Sequence, residues 1–102
     1  MMITHVVFFK MKSEALGKTG NENAQELAEK FQKISEKIPG VISTETGHNY
    51  NREERFYDMC LNQKFESKEA LEKYLVHPLH LKVREFVFQV IDHRIVVDYE
   101  FH

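Results

Sequence analysis

The sequence predicts a single α+β domain with the element order βαββαβ. Three observations lead there. Strand-like runs rich in β-branched and aromatic residues stand at both ends, over residues 3–11 and 92–101. Two helical stretches follow strand-like runs. Between them lie two further strands and no long linker. A chain of 102 residues fits one domain with a modest core.

The first strand ends at Lys10-Met11-Lys12, and residues 13–20 read as a loop with two glycines. Asn23, followed by Glu26, reads as a helix N-cap with a capping-box partner. Ala24, Leu27, Ala28, Phe31, Ile34 and Ile38 then recur at three- and four-residue steps, the stripe of an amphipathic helix, which Pro39-Gly40 stops. Residues 41–50 form the second strand and 56–66 the third, with Tyr57, Met59, Leu61 and Phe65 on one face of the latter. Ser67 caps a helix carrying Ala70, Leu71, Tyr74 and Leu75. Pro78 breaks that helix, and a further helical stretch carries Leu79, Val83, Phe86, Val87 and Val90. This order is the split βαβ, or ferredoxin-like, pattern.

Helices on one face of such a sheet should leave the other polar. The outer strands break that rule. Val6 and Phe8 oppose His5, Val7 and Phe9, and Ile95, Val97, Tyr99 and Phe101 oppose Val96. An apolar second face of this extent marks an interface. The expectation is a homodimer whose two sheets pack face to face as an α/β barrel, with Val6, Phe8, Ile95 and Val97 between them.

Composition excludes several classes. A net charge of −2 gives no reason to expect nucleic acid. No apolar run approaches the roughly 20 residues of a membrane span. The start lacks the pattern of a signal peptide, and Cys60 has no second cysteine to pair with. A cytoplasmic protein without nucleic-acid or membrane partners is expected.

The chemistry concentrates in Tyr74-Leu75-Val76-His77-Pro78-Leu79-His80. Pro78 forces His77 out of the α region, so the two imidazoles sit at a corner. His5 brings a third imidazole at the other end of the chain. Histidine changes charge near neutral pH, and His5 and His80 among apolar residues suggest a pocket with acid/base capacity. The bland reading of His5 is a core histidine satisfied by a backbone carbonyl. His77 is expected to cap a helix end or face solvent, and His48, His93 and His102 to lie on the surface. A zinc site at His77, His80 and His5 is disfavoured, because Pro78 turns the two imidazoles apart. There is no phosphate-binding glycine loop and no nucleophile elbow.

His5-Val6-Val7-Phe8-Phe9-Lys10, Ile38-Pro39-Gly40-Val41, Phe65-Glu66-Ser67, His77-Pro78-Leu79-His80 and Val97-Asp98-Tyr99 together resemble the stress-responsive dimeric α/β-barrel (Dabb) family over nearly the whole chain. The resemblance implies a dimer with a pocket between each sheet and its helices. In the plant olivetolic acid cyclase of this family, an aldol closure runs without metal or organic cofactor, on two histidines and two tyrosines. His5, His80 and Tyr74 match three of these, whereas Phe31 stands at the fourth and cannot donate a hydrogen bond. The cyclase substrate is therefore not carried over. Asp98 matches a family carboxylate and is expected to orient His80. The resulting expectation is one apolar pocket per subunit. His5 and His80 are its acid/base pair, Tyr74 and Asp98 assist, and Val7, Phe9, Phe31 and Leu61 form the wall. Cofactor-independent enolisation, aldol or lactone chemistry on a carbonyl compound fits such a site. The alternatives are an apolar-ligand-binding or assembly module, and a cofactor-free monooxygenase or haem protein of the same fold.

Overall fold

The structure is a computed structural model that describes residues 1–101; His102 lies outside the described residues. Its elements are β1 (Met2–Met11), β2 (Glu14–Ala15), β3 (Lys18–Thr19), α1 (Gly20–Ser35), β4 (Val41–His48), β5 (Met59–Phe65), α2 (Lys68–Val76), α3 (Pro78–Val90) and β6 (Ile91–Phe101). The four long strands form an antiparallel sheet in the order β4-β5-β1-β6. This is the ferredoxin-like α+β fold expected from the element order.

Several boundaries differ from the sequence reading. Residues 14–19 are a small hairpin and not a plain loop. Its turn holds Leu16 and Gly17 at φ 53° and 74°, the left-handed pair that a two-residue hairpin needs. The cap of α1 is Thr19 and not Asn23: the Thr19 hydroxyl accepts from the Glu22 amide, and the Glu22 carboxylate accepts from the Thr19 amide. Asn23 is instead fully buried and donates to the Ala15 carbonyl, tying the hairpin to the helix. Helix α1 ends at Ser35, and Ile38 is buried in the turn after it. Gly40 is required at that corner. Its φ is +91°, and a Cβ there would stand 2.7 Å from the Ala70 Cβ. Strand β5 begins at Met59 and not Phe56, because residues 56–58 bond irregularly, with the Asp58 amide donating to the Phe9 carbonyl.

The helices cover one face. Ile3, Val7 and Phe9 of β1 and Leu61 and Phe65 of β5 are buried under Leu27, Phe31 and Ile34 of α1, Leu71 of α2, and Val83, Val87 and Val90 of α3. The other face is apolar and open. Phe8 is 42% exposed, Ile95 43%, Val97 51% and Tyr99 49%. Pairing places Phe8 beside Ile95 and Val6 beside Val97, and Tyr99 follows Val97 on the same face of β6, so these side chains form one continuous patch.

His77 joins α2 to α3. Its extended backbone ends α2, and its Nδ1 accepts from the Leu79 amide to cap α3, with Pro78 in the first turn where no amide is needed.

Candidate functional site

Cross-strand pairing sets Thr44, Gln63, His5 and Asp98 side by side across the sheet. Directly paired residues share a face, so this polar row lies beneath the helices. Along β1, the next row is Leu61, Val7 and Val96, and the one after it Met59, Phe9 and Arg94.

At the β6 end of these rows is a cavity of about 210 Å³. Strands β1 and β5 supply His5, Val7, Phe9 and Leu61; helices supply Phe31, Leu75, His80, Arg84 and Val87; β6 supplies Arg94, Val96 and Asp98. A larger concavity of about 420 Å³ lies around Phe8, Tyr57 and Cys60. It opens on the outer apolar face and contains neither His5 nor His80. The smaller cavity is the stronger candidate, because apolar walls with a few convergent polar groups are the usual form of a small-molecule site.

His5 is buried and bonds through Nδ1 to the Asp98 carboxylate. Asp98 thus orients His5, in place of the His80 partner expected from the sequence. The reason is register: His5 and Asp98 are direct cross-strand partners, and His80 reaches the cavity from the helix layer. His80 donates from Nδ1 to the Leu75 carbonyl, 3.1 Å away, at the break between α2 and α3. Burial, above all, lowers its pKa to about 4, and His5, Arg84 and Arg94 oppose its positive charge further. The His80 ring is therefore neutral at pH 7. With Nδ1 engaged in each histidine, Nε2 is the ring nitrogen left for other contacts.

The Tyr74 ring is in the core, as its place on the apolar stripe of α2 implies, and its hydroxyl departs from expectation. Its ring packs on His80, with centroids 4.7 Å apart, and on Phe65 at 5.0 Å. Its hydroxyl does not join the cavity lining. It accepts from Gln63 Nε2 at 3.2 Å in the core. The chain of bonds continues, as Gln63 also donates to Thr44, Thr44 to Ser35, and Ser35 to the Phe31 carbonyl. Burial pushes the Tyr74 phenol up to about 12. Tyr74 positions the His80 ring.

Val7, Phe9, Phe31 and Leu61 line the cavity, with Phe31 stacked on Phe9 at 5.9 Å. The sequence reading missed Leu75, Arg84, Val87, Arg94 and Val96. Arg84 follows His80 by one helical turn, a spacing that could have flagged it. Gln63 was also missed. Its place between Leu61 and Phe65 on the buried face was the available signal. His77 and His80 do not combine, and the described residues contain no group of three or more His, Cys, Asp or Glu able to hold a metal ion. His93 has a partner that was not anticipated, the Tyr57 hydroxyl.

An antiparallel four-stranded sheet with helices on one side defines a ferredoxin-like protein. The model of the Stress responsive A/B Barrel Domain (Dabb) matches residues 3–101, and the chain belongs to that family. It is 31% identical to an uncharacterized protein of Streptomyces coelicolor over 98% of this chain and all of that one. Among solved structures, a dimeric ferredoxin-like protein of unknown function from Thermobifida fusca is similar at TM-score 0.83 and 16% identity, covering 99% of this chain and 92% of its own. A hydroxynitrile lyase from Passiflora edulis is similar at TM-score 0.82 and 15% identity, covering 99% and 94%. No helix among the described residues is long and apolar enough to cross a membrane.

Proposed function

We propose that the protein is a homodimer whose subunits each carry out cofactor-independent acid/base chemistry on a small carbonyl compound in the His5–His80 cavity. The observation that carries this reading is the convergence of His5 and His80 on one mostly apolar space, each with its Nδ1 occupied. His5, oriented by Asp98, takes the proton from the carbon beside the carbonyl. The C–H electron pair becomes the enolate double bond, and the carbonyl oxygen takes the charge. The charged His5 passes its proton to that oxygen, giving the enol. His80, neutral at pH 7, takes the enol hydroxyl proton at Nε2 as the carbonyl re-forms and the carbon takes a proton from water. His80 gives up its proton readily, since a ring with a pKa near 4 is a strong acid once charged. Proton transfer from positioned groups is worth roughly 10²–10⁴ in rate. That a protein named as a hydroxynitrile lyase shares the fold is compatible with a lyase- or isomerase-type role.

The dimer reading rests on the exposed patch of Phe8, Ile95, Val97 and Tyr99, and on the dimeric state of the Thermobifida fusca neighbour. Sedimentation of the unmodified protein should give a dimer, and Phe8→Asp a monomer or an aggregate.

The chemistry is tested by deuterium exchange into the carbon next to the carbonyl of phenylacetone, followed by NMR. Wild type should accelerate exchange, and His80→Ala should lose that acceleration while keeping its helical signal. Exchange at the buffer rate in the wild type sinks the enzymatic reading and leaves the ligand-binding one.

A further inference from the structure

Two guanidinium groups stand at the cavity, neither ion-paired within 4.0 Å among the described residues. Arg84 and Arg94 both line it. Both also stack on the same ring, each guanidinium carbon lying 5.1 Å from the centroid of Phe88. One arginine comes from α3 and the other from β6, so the shared ring gathers two positive charges from separate elements. Among the described residues, neither makes an ion pair within 4.0 Å or a side-chain hydrogen bond. Asp98, the carboxylate in the cavity lining, is taken by His5. Two like charges gathered at one ring, neither ion-paired among the described residues, repel, and a bound anion would relieve that. Planar guanidinium groups are suited to a carboxylate, which they bind in a forked geometry.

The depth of the cavity argues for the rest of the ligand. Phe9, Phe31, Leu61 and Val87 offer only apolar surface. A dry apolar cavity of about 150 Å³ takes benzene, so one of about 210 Å³ takes a ring or branched chain with a short polar head. Arg94 shares its row with Phe9, on the helix side of the sheet. A partner packed on the Phe8 face would leave it uncovered.

We infer that the ligand of this cavity is a small monocarboxylate with an apolar tail, its carboxylate gripped by Arg84 and Arg94 and its tail beneath Phe31. This rests on the cavity being the ligand site. Combined with the proposed chemistry, it makes the substrate an oxo acid and separates the groups that bind from those that move protons.

The experiment compares phenylacetate with phenylacetamide, which share a shape and differ in charge, by calorimetric titration of the full chain. Wild type should bind phenylacetate about tenfold or more tightly, the worth of one or two charge-assisted bonds. The preference should shrink as sodium chloride is raised from about 0.05 to 0.5 M. In the double variant Arg84→Gln/Arg94→Gln it should vanish, with the melting temperature showing that the variant is folded. Equal affinities, a preference for the amide, or no binding of phenylacetate at millimolar concentration overturns the inference in wild-type protein alone, whatever the variant does. A preference that survives the double substitution overturns it as well. Exchange into neutral phenylacetone is a separate readout. Exchange without anion preference refutes the arginine grip and keeps the chemistry; anion preference without exchange does the reverse.

Discussion

At Gln63 and Tyr74 the sheet is sealed, and one strand away, at His5 and Asp98, it is open. Gln63, His5 and Asp98 belong to one polar row of the sheet, and Tyr74 meets Gln63 from α2. On the sealed side, Gln63 and Tyr74 are fully buried and bonded to each other. On the open side, His5 is buried but its partner Asp98 is on the exposed edge strand β6, and His80 closes only part of the gap. The difference comes from coverage. Helices α1 and α2 bury the inner faces of β5 and β1, while every residue of β6 from Asp92 to Glu100 is exposed. A polar group under a helix bonds within the protein, as Gln63 Nε2 does, or goes without, as the buried Gln63 Oε1 does among the described residues. One beside an uncovered strand is left with bonding capacity for a ligand. Tyr74 belongs to the first kind despite its place in the sequence beside His80.

The largest way to break this contrast is Tyr74→Ala. Removing a ring packed on Phe65 and His80 should cost about 3–5 kcal/mol in urea unfolding, a large share of a small domain's stability. Asp98→Asn should act on the other region. An amide can donate to Nδ1 and so hold His5 in the wrong tautomer, which should slow phenylacetone exchange on the order of 100-fold. Unfolding of this variant should change far less than that of Tyr74→Ala, because Asp98 is on the exposed edge. A comparable stability loss in both variants would erase the distinction.

Acid offers a third probe. The folded pKa of His80 is lowered to about 4 from 6.5, so the unfolded chain binds a proton there before the folded one does. Stability contributed by neutral His80 is complete above about pH 6.5 and is lost as pH falls toward 4. The urea midpoint should therefore drop between pH 7 and pH 5, and His80→Gln should drop less over the same interval. Equal drops would mean that His80 titrates as if exposed. The smallest effect is expected from Tyr74→Phe. It removes a bond to Gln63 that is worth about 1 kcal/mol, and Gln63 keeps Thr44 as an acceptor. Exchange should stay within about twofold of wild type, whereas a collapse in rate would return the Tyr74 hydroxyl to the chemistry.

Much of the fold was legible because its signals are local. Apolar residues from Ala24 to Ile34 recur at the helical period, Met59, Leu61 and Phe65 alternate as a strand, and Pro78 ends one helix and begins another whatever surrounds it. The apolar outer face was equally plain from Val6, Phe8, Ile95 and Val97. The start of α1 was misread because Thr19 and Asn23 are both good caps by type. Only the hairpin before the helix, which needs Asn23 for its own tether, decides between them.

By itself the sequence determined the order of elements, the faces of the strands, and the presence of His5 and His80 among apolar neighbours. The tertiary structure decided which carboxylate meets which histidine, where the Tyr74 hydroxyl goes, and that Arg84 and Arg94 reach one ring. The physical reason is range. Periodicity and capping act over a few residues and leave a trace in every short window. The pairing of His5 with Asp98 joins positions 93 residues apart, and it depends on the register of β1 against β6. A shift of one residue there would send Asp98 to the opposite face and leave the cavity without its carboxylate.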